Sequence, residues 1–122
     1  MRRKVIIAGG GIGGMTAALA LQRSGLEVTI FERAPTFAEI GAGMSLWPNA
    51  TRVLQTLGVM DEVLARGEPV TQFNLKRPDG RIISTIPMDG FSTPAACIHR
   101  ADLHHALHRA LSSIHLESNQ TI

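Results

Sequence analysis

Val5-Ile6-Ile7-Ala8-Gly9-Gly10-Gly11-Ile12-Gly13-Gly14-Met15, near the start of a 122-residue chain, decides the fold. Four apolar residues run without a break into glycine, the pattern of a strand buried on both faces. From Ile12 to Ser24 the composition turns to Ala, Leu, Met and Gln, strong helix formers, and Gly25 supplies a stop. Glu27 to Glu32 is rich in β-branched residues and reads as a second strand. Strand, helix and strand in so short a stretch imply a parallel pair joined by a right-handed crossover. An α/β, Rossmann-like βαβ core is the expectation.

The glycines satisfy GxGxxG with Gly9, Gly11 and Gly14, and each position has a physical task. Gly9 permits the tight strand-to-helix turn. Gly11 lacks a Cβ, so a pyrophosphate can approach the backbone. Gly14 lets the helix pack closely on the sheet. The N–H groups of the first helical turn, aided by the helix dipole, then face the phosphates. The hexapeptide alone is a weak signal, but strand, helix and second strand surround it in the required order. Glu32 lies at the end of the second strand, 18 residues after Gly14, where a carboxylate can accept from both hydroxyls of an adenosine ribose. The plain alternative for Glu32 is a solvated strand end. With the glycines in place, an ADP-containing dinucleotide is expected, and these residues alone leave FAD and NAD equally open.

Beyond the core, Arg33 to Leu46 reads as an irregular loop carrying Gly41-Ala42-Gly43. Pro48 opens a helix whose apolar face is Val53, Leu54 and Leu57, ended by Gly58. Met60 to Arg66 forms a short helix with Glu62 and Arg66 spaced i,i+4, closed by Gly67. Thr71 to Leu75 and Ile82 to Ile86 flank Arg77-Pro78-Asp79-Gly80, a small β-hairpin. A helix over about 101–111 presents Leu103, Leu107, Ala110 and Leu111 on one face, and Ile114-His115-Leu116 begins a further strand whose pairing partners would come later.

Composition removes several function classes. Twelve basic against ten acidic residues give a net charge of +2, with no basic run for a nucleic-acid partner. Aromatics are 4% with no Tyr, which argues against a base-stacking platform. No apolar run reaches the length of a membrane span. The lead-in Met1-Arg2-Arg3-Lys4 has the charge of a signal peptide, but the apolar run after it dissolves into five glycines within six residues. Cys97 is the only cysteine, so no intramolecular disulfide is possible and a reducing cytoplasm is expected. It reads as a small buried hydrophobe. His104 and His108, spaced i,i+4 among five histidines, raise a metal site, but no third ligand is placed, and a polar helix face is the expected reading. Met15, Met44, Met60 and Met88 read as core filler, while Trp47 either packs near a cofactor or anchors its loop.

Gly9 to Glu32 resembles the N-terminal signature of flavoprotein monooxygenases. Gly41-Ala42-Gly43-Met44-Ser45-Leu46-Trp47-Pro48-Asn49-Ala50 resembles the loop and helix start of single-component aromatic-ring hydroxylases, such as salicylate and 3-hydroxybenzoate hydroxylases, and is similar to FAD-dependent urate hydroxylases. His99-Arg100-Ala101-Asp102-Leu103 resembles the same family's strand-to-helix junction. The three motifs occur in the family's order and span essentially the whole chain.

The resemblance implies an extended FAD. Gly11, Ile12, Gly13 and Gly14 would contact its pyrophosphate, Glu32 its ribose, and Arg33 would lie beside the adenosine. Gly43, Met44 and Ser45 would run along the ribityl and isoalloxazine side, with Arg100 at the ribityl–phosphate stretch. It further implies hydroxylation of an aromatic or heteroaromatic small molecule with NAD(P)H and O2, through a flavin C4a-hydroperoxide. The flavin carries that chemistry, so no residue here is expected as nucleophile or general acid. Family members are considerably longer, and a later Asp-Gly pair, a ribityl-binding Gly-Asp segment and the substrate domain have no counterpart. Residues 1–122 are therefore expected to be the N-terminal portion of an FAD-binding domain, inactive alone. The alternatives are a non-catalytic dinucleotide-binding module, one half of a split enzyme completed by a second chain, and, more remotely, an NAD-dependent dehydrogenase.

Overall fold

In a computed structural model, residues 3–36, 41–111, 115–118 and 120 are described. The chain runs through β1 (Lys4–Ala8), α1 (Ile12–Arg23), β2 (Glu27–Phe31), β3 (Gly43–Leu46), α2 (Pro48–Thr56) and α3 (Met60–Arg66). It continues through β4 (Glu68–Val70), β5 (Gln72–Lys76), β6 (Ile82–Pro87), β7 (Ala95–His99), α4 (Arg100–Ala110) and β8 (His115–Glu117). Two compact units result: Met1–Ala42 with Arg100–Ile122, and Gly43–His99.

The first unit is the expected parallel α/β core. Its sheet has the order β1-β2-β8, with Lys4 opposite Glu27, Ala8 opposite Phe31, and Phe31 opposite Glu117. α1 ends at the predicted place: the N–H of Gly25 donates to Gln22 O and that of Leu26 to Leu21 O, a Schellman closure. Met15, Ala18 and Leu19 of α1, Val28 and Ile30 of β2, and Leu103, Ala106, Leu107 and Leu111 from α4 and its end form the core.

Three expectations change here. β1 is not buried on both faces, since Ile6 remains 65% exposed. The reason is one-sided cover: a Cβ on Gly14 of α1 would lie 3.4 Å from Ile7 Cγ2, so Ile7 faces the helix and Ile6 turns the other way. Next, β8 does not wait for a later partner, because β2 already pairs with it in parallel. Ile114, the first residue expected in that strand, and positions 37–40 of the expected loop lie outside the described residues. Finally, Ala110 is exposed, and Ala106 and His104 take its place on the buried side of α4.

The second unit holds an antiparallel sheet, β3-β7-β4, with Leu46 opposite Ala96 and Val70 opposite Ala95. The end of the expected loop is thus strand β3. Gly-Met-Ser-Leu has no β-branched residue to announce it, and its partner lies some fifty positions away at Cys97. α2 follows Pro48 as expected, but Val53 is 49% exposed and Thr51, fully buried, takes its place in the core. Glu62 and Arg66 pair at 2.9 Å along α3. The hairpin forms with its turn closed by Gly80 N–H to Arg77 O and by Arg81 N–H to Asp79 Oδ1. Cys97 is exposed, not buried, because the pleat of β7 turns Ala96 and Ile98 inward. Its Sγ lies 3.4 Å from Ser45 Oγ. Trp47 stacks on Phe73 with centroids 4.8 Å apart, so within this unit it anchors the start of α2 to the hairpin. Met15, Met60 and Met88 are core residues, and Met44 is half-buried.

Gly67 closes α3, as expected, at a point of close backbone approach. Its backbone is extended at φ −116°, and a Cβ there would lie 2.5 Å from Cys97 O and 3.0 Å from Val63 O. Close approach of α3 to β7 requires the missing methyl. Gly67→Ala is expected to cost about 1–3 kcal/mol through overpacking, read as a lowered thermal midpoint of the purified chain.

Candidate functional site: a glycine turn held from three sides

β1 runs straight into the glycine turn. The N–H of Gly9 donates to Phe31 O at 2.7 Å, and Gly9 then takes φ +105°, a conformation open to glycine at little cost. α1 begins with Gly11 as its N-cap, without a side-chain cap and without an acidic residue in its first turn. The N–H groups of Ile12, Gly13 and Gly14 therefore have no intrahelical acceptor. A Cβ on Gly13 would meet nothing within 4 Å, so this turn opens onto free space. A Cβ on Gly14 would collide with Gly9 O, which fixes the close approach of helix start to strand end.

Glu32 follows β2 and is held at both ends. Its main-chain N–H donates to Glu117 O at 2.8 Å, and its carbonyl accepts from Gln120 N at 2.8 Å. Its carboxylate reaches back to the turn, with Oε2 accepting from Gly10 N–H at 2.6 Å and Oε1 from Ala34 N–H at 2.9 Å. The Ala34 and Gly10 amides, in that order, hold this carboxyl below the ordinary glutamate range, with the Arg33 amide and charge adding to them and partial desolvation opposing. Two amides occupy only part of an ionised carboxylate's accepting capacity, which leaves room for hydroxyl donors.

The third support comes from α4. His104, 3% exposed, places Nε2 2.8 Å from Gly10 O. A carbonyl only accepts, so Nε2 carries the proton and donates. The expectation of a polar helix face therefore fails at His104, which sits three residues before Leu107 and seven before Leu111 on the apolar stripe. That spacing was the available signal, since a histidine on a core stripe needs a partner for its ring nitrogens. Gly10, an unassigned position inside the GxGxxG pattern, is the other residue sequence reasoning passed over. Among the described residues no three His, Cys, Asp or Glu side chains gather as a metal site.

Gly9, Gly11, Ile12, Gly13, Gly14 and Glu32 thus come together in one unit, with exposed Arg33 immediately beyond. Arg100 belongs to the same unit: its N–H donates to Ala42 O at 3.1 Å, and its stem passes so close to Gly41 that a Cβ there would lie 2.9 Å from Arg100 Cβ. Gly43, Met44 and Ser45 belong to the other unit, on β3 opposite His99, Ile98 and Cys97.

An uncapped helix start at a glycine turn, with a carboxylate fixed at the end of the second strand, defines a dinucleotide-binding βαβ protein. The donor set suits a pyrophosphate and the Glu32 acceptors suit a ribose, so the ADP half of FAD fits the residues present. The chain belongs to the FAD binding domain family, which it matches over residues 2–117. It is 40% identical over 116 residues to the aurachin C monooxygenase/isomerase of Stigmatella aurantiaca, covering 92% of this chain and 30% of that protein. It is 42% identical over 111 residues to the 3-hydroxybenzoate 6-hydroxylase of Polaromonas naphthalenivorans, covering 84% and 27%. The fold is similar to that of the tetrameric form of 2-methyl-3-hydroxypyridine-5-carboxylic acid oxygenase, with a TM-score of 0.85 and 32% identity over 97% of this chain and 32% of that one. The chain thus spans about 30% of the length of the relatives it matches.

The depressed carboxyl of Glu32 gives stability a definite pH dependence. Its contribution is fully present above the ordinary glutamate value of 4.5 and is lost as pH falls through the lower native value. In Glu32→Gln this acid-sensitive part disappears. The gap in urea midpoint between the two proteins is expected to be constant from neutral pH to about 5 and to close below about 4. A gap independent of pH would mean that the ionised carboxylate does not hold the turn.

Proposed function

We propose that residues 1–122 form the N-terminal, ADP-grasping portion of the FAD-binding domain of a monooxygenase that hydroxylates an aromatic or heteroaromatic small molecule with NAD(P)H and O2. The observation that carries this reading is the Glu32 carboxylate bonded to Gly10 N–H beside the uncapped start of α1. Family membership supports FAD over NAD as the dinucleotide. The relatives' names, a monooxygenase/isomerase and a hydroxybenzoate hydroxylase, support the reaction class and an aromatic substrate.

In this reading the amides of Gly11, Ile12, Gly13 and Gly14 receive the pyrophosphate without a Cβ in the way at the glycines, and Gly9 shapes the turn that presents them. Glu32 accepts from the adenosine ribose, Arg33 flanks the adenosine, and Arg100 offsets charge on the ribityl–phosphate stretch. Gly43, Met44 and Ser45 line the ribityl and isoalloxazine portion. Bound FAD supplies the oxygen-activating redox chemistry, and these residues bind and orient it. No residue acts as nucleophile or general acid. A cytoplasmic setting is supported by the single cysteine, and among the described residues no helix is long and apolar enough to cross a membrane.

The chain's coverage of about 30% of its relatives favours a second reading for this polypeptide by itself: a binding module, or one half of an enzyme completed by a second chain. Both readings share one test. The purified chain is expected to take up FAD, and Glu32→Ala to weaken that binding by about 1–3 kcal/mol through lost charge-assisted hydrogen bonds. A colourless chain that added FAD cannot reconstitute removes the first reading for this polypeptide. NADH oxidation coupled to hydroxylation of a hydroxybenzoate is expected to be absent from this chain alone, and sustained turnover would restore it as a complete catalyst.

A further inference from the structure

Gly10 is the most constrained residue of a turn whose composition invites freedom. Five of the six residues from Gly9 to Gly14 are glycine, and their backbone explores more conformations than any other sequence would. Yet Gly10 is buried and is gripped on both sides by side chains remote in sequence. Glu32, 22 positions away, accepts from its N–H at 2.6 Å, and His104, 94 positions away, reaches its carbonyl at 2.8 Å.

The second contact has a directional consequence. The Gly10 carbonyl and the Gly11 N–H belong to one planar trans peptide, so they point in opposite directions. No cis peptide interrupts the described chain. When His104 draws Gly10 O into the core, the Gly11 N–H must point out of it, at the mouth of α1. Without that bond a glycine–glycine peptide can turn over at little steric cost. The turned-over form would present a carbonyl oxygen to an incoming phosphate and bury the donor.

We infer that His104 is a positioning residue for the dinucleotide site: its Nε2–H fixes the Gly10–Gly11 peptide in the orientation that offers the Gly11 N–H to a pyrophosphate. This rests on the reading of the turn as a pyrophosphate site. Its effect is to pre-order the donor before the ligand arrives, removing an ordering cost from binding. His104 itself is buried and need not touch the ligand.

The test compares wild type with His104→Met, which keeps the volume and loses the donor, and His104→Gln, which keeps a donor at the Nε2 position. ADP and FAD titrations of the purified chain are expected to show about tenfold weaker binding for the Met variant, the scale of one lost hydrogen bond. The Gln variant is expected to bind within about threefold of wild type, while His104→Met, which leaves Gly10 O without its donor, loses the more thermal stability of the two. NMR relaxation dispersion without ligand is expected to reveal exchange at the Gly11 amide in His104→Met and to find it quenched in wild type and His104→Gln. Equal ADP affinity in all three proteins, or equal exchange at Gly11, overturns the inference. If wild type binds neither ADP nor FAD, the proposed function fails, and the Gly11 dynamics still decide whether the lock exists. If His104→Met does not fold, the wild-type ring decides: a proton on Nε2 with scalar coupling to the Gly10 carbonyl carbon supports the lock, and a proton on Nδ1 alone overturns it.

Discussion

One hydrogen bond organises the first unit: Gly10 N–H to the Glu32 carboxylate at 2.6 Å. With the Gly9 N–H bond to Phe31 O, it ties the exit of β1 to the exit of β2. Strand pairing sets the register, with Ala8 opposite Phe31, but it does not determine where the residues beyond the last pair go. The carboxylate does. By holding Gly10 and Ala34 together it gathers a glycine-rich turn and the bend after β2 around one ionised group, in part desolvated and held by main-chain donors.

That bond is in turn held by elements much later in the chain. β8 and Gln120 beyond it fix the main chain of Glu32 on both sides, and α4 fixes the far side of Gly10 through His104. A site that looks local in sequence is therefore assembled from four pieces: turn, strand end, late helix and late strand. The arrangement separates two tasks. The first-turn amides and the remaining accepting capacity of Glu32 are left without partners in the helix or sheet, while His104 holds the Gly10 carbonyl and β8 the Glu32 main chain. Rigidity at a glycine-rich turn comes from outside it, since glycine itself resists nothing.

How much of this the sequence announced depended on whether the cause was local. β1, α1 and β2 follow from composition, the Gly25 closure and the glycine pattern, and they stand within one residue of expectation. The hairpin around Pro78-Asp79-Gly80 was equally readable, because a turn is written in consecutive residues. β3 was not, because Gly43 to Leu46 becomes a strand only through its pairing with β7. The full burial expected of β1 failed for a similar reason: an apolar run records that cover is available in some context, while the described neighbours cover one face. Glu32 was legible from its spacing, and its partners Gly10 and Ala34 were not. His104 was visible only as a metal candidate or a polar face, although its place on the Leu107–Leu111 stripe already required a buried partner.

The pairing of Glu32 with Glu117 and Gln120 also bears on the order in which the molecule is made. A ribosome delivers this chain from the N-terminus at about 5–20 residues per second. The glycine turn, α1 and β2 are all synthesised by Phe31. Their strand ends cannot be secured until α4 and β8 have emerged. During that interval the nascent chain carries a nucleotide motif that is complete as sequence and unfinished as structure. The ordered form of the turn therefore waits for a histidine and a short strand that stand more than seventy residues after β2 in the linear sequence.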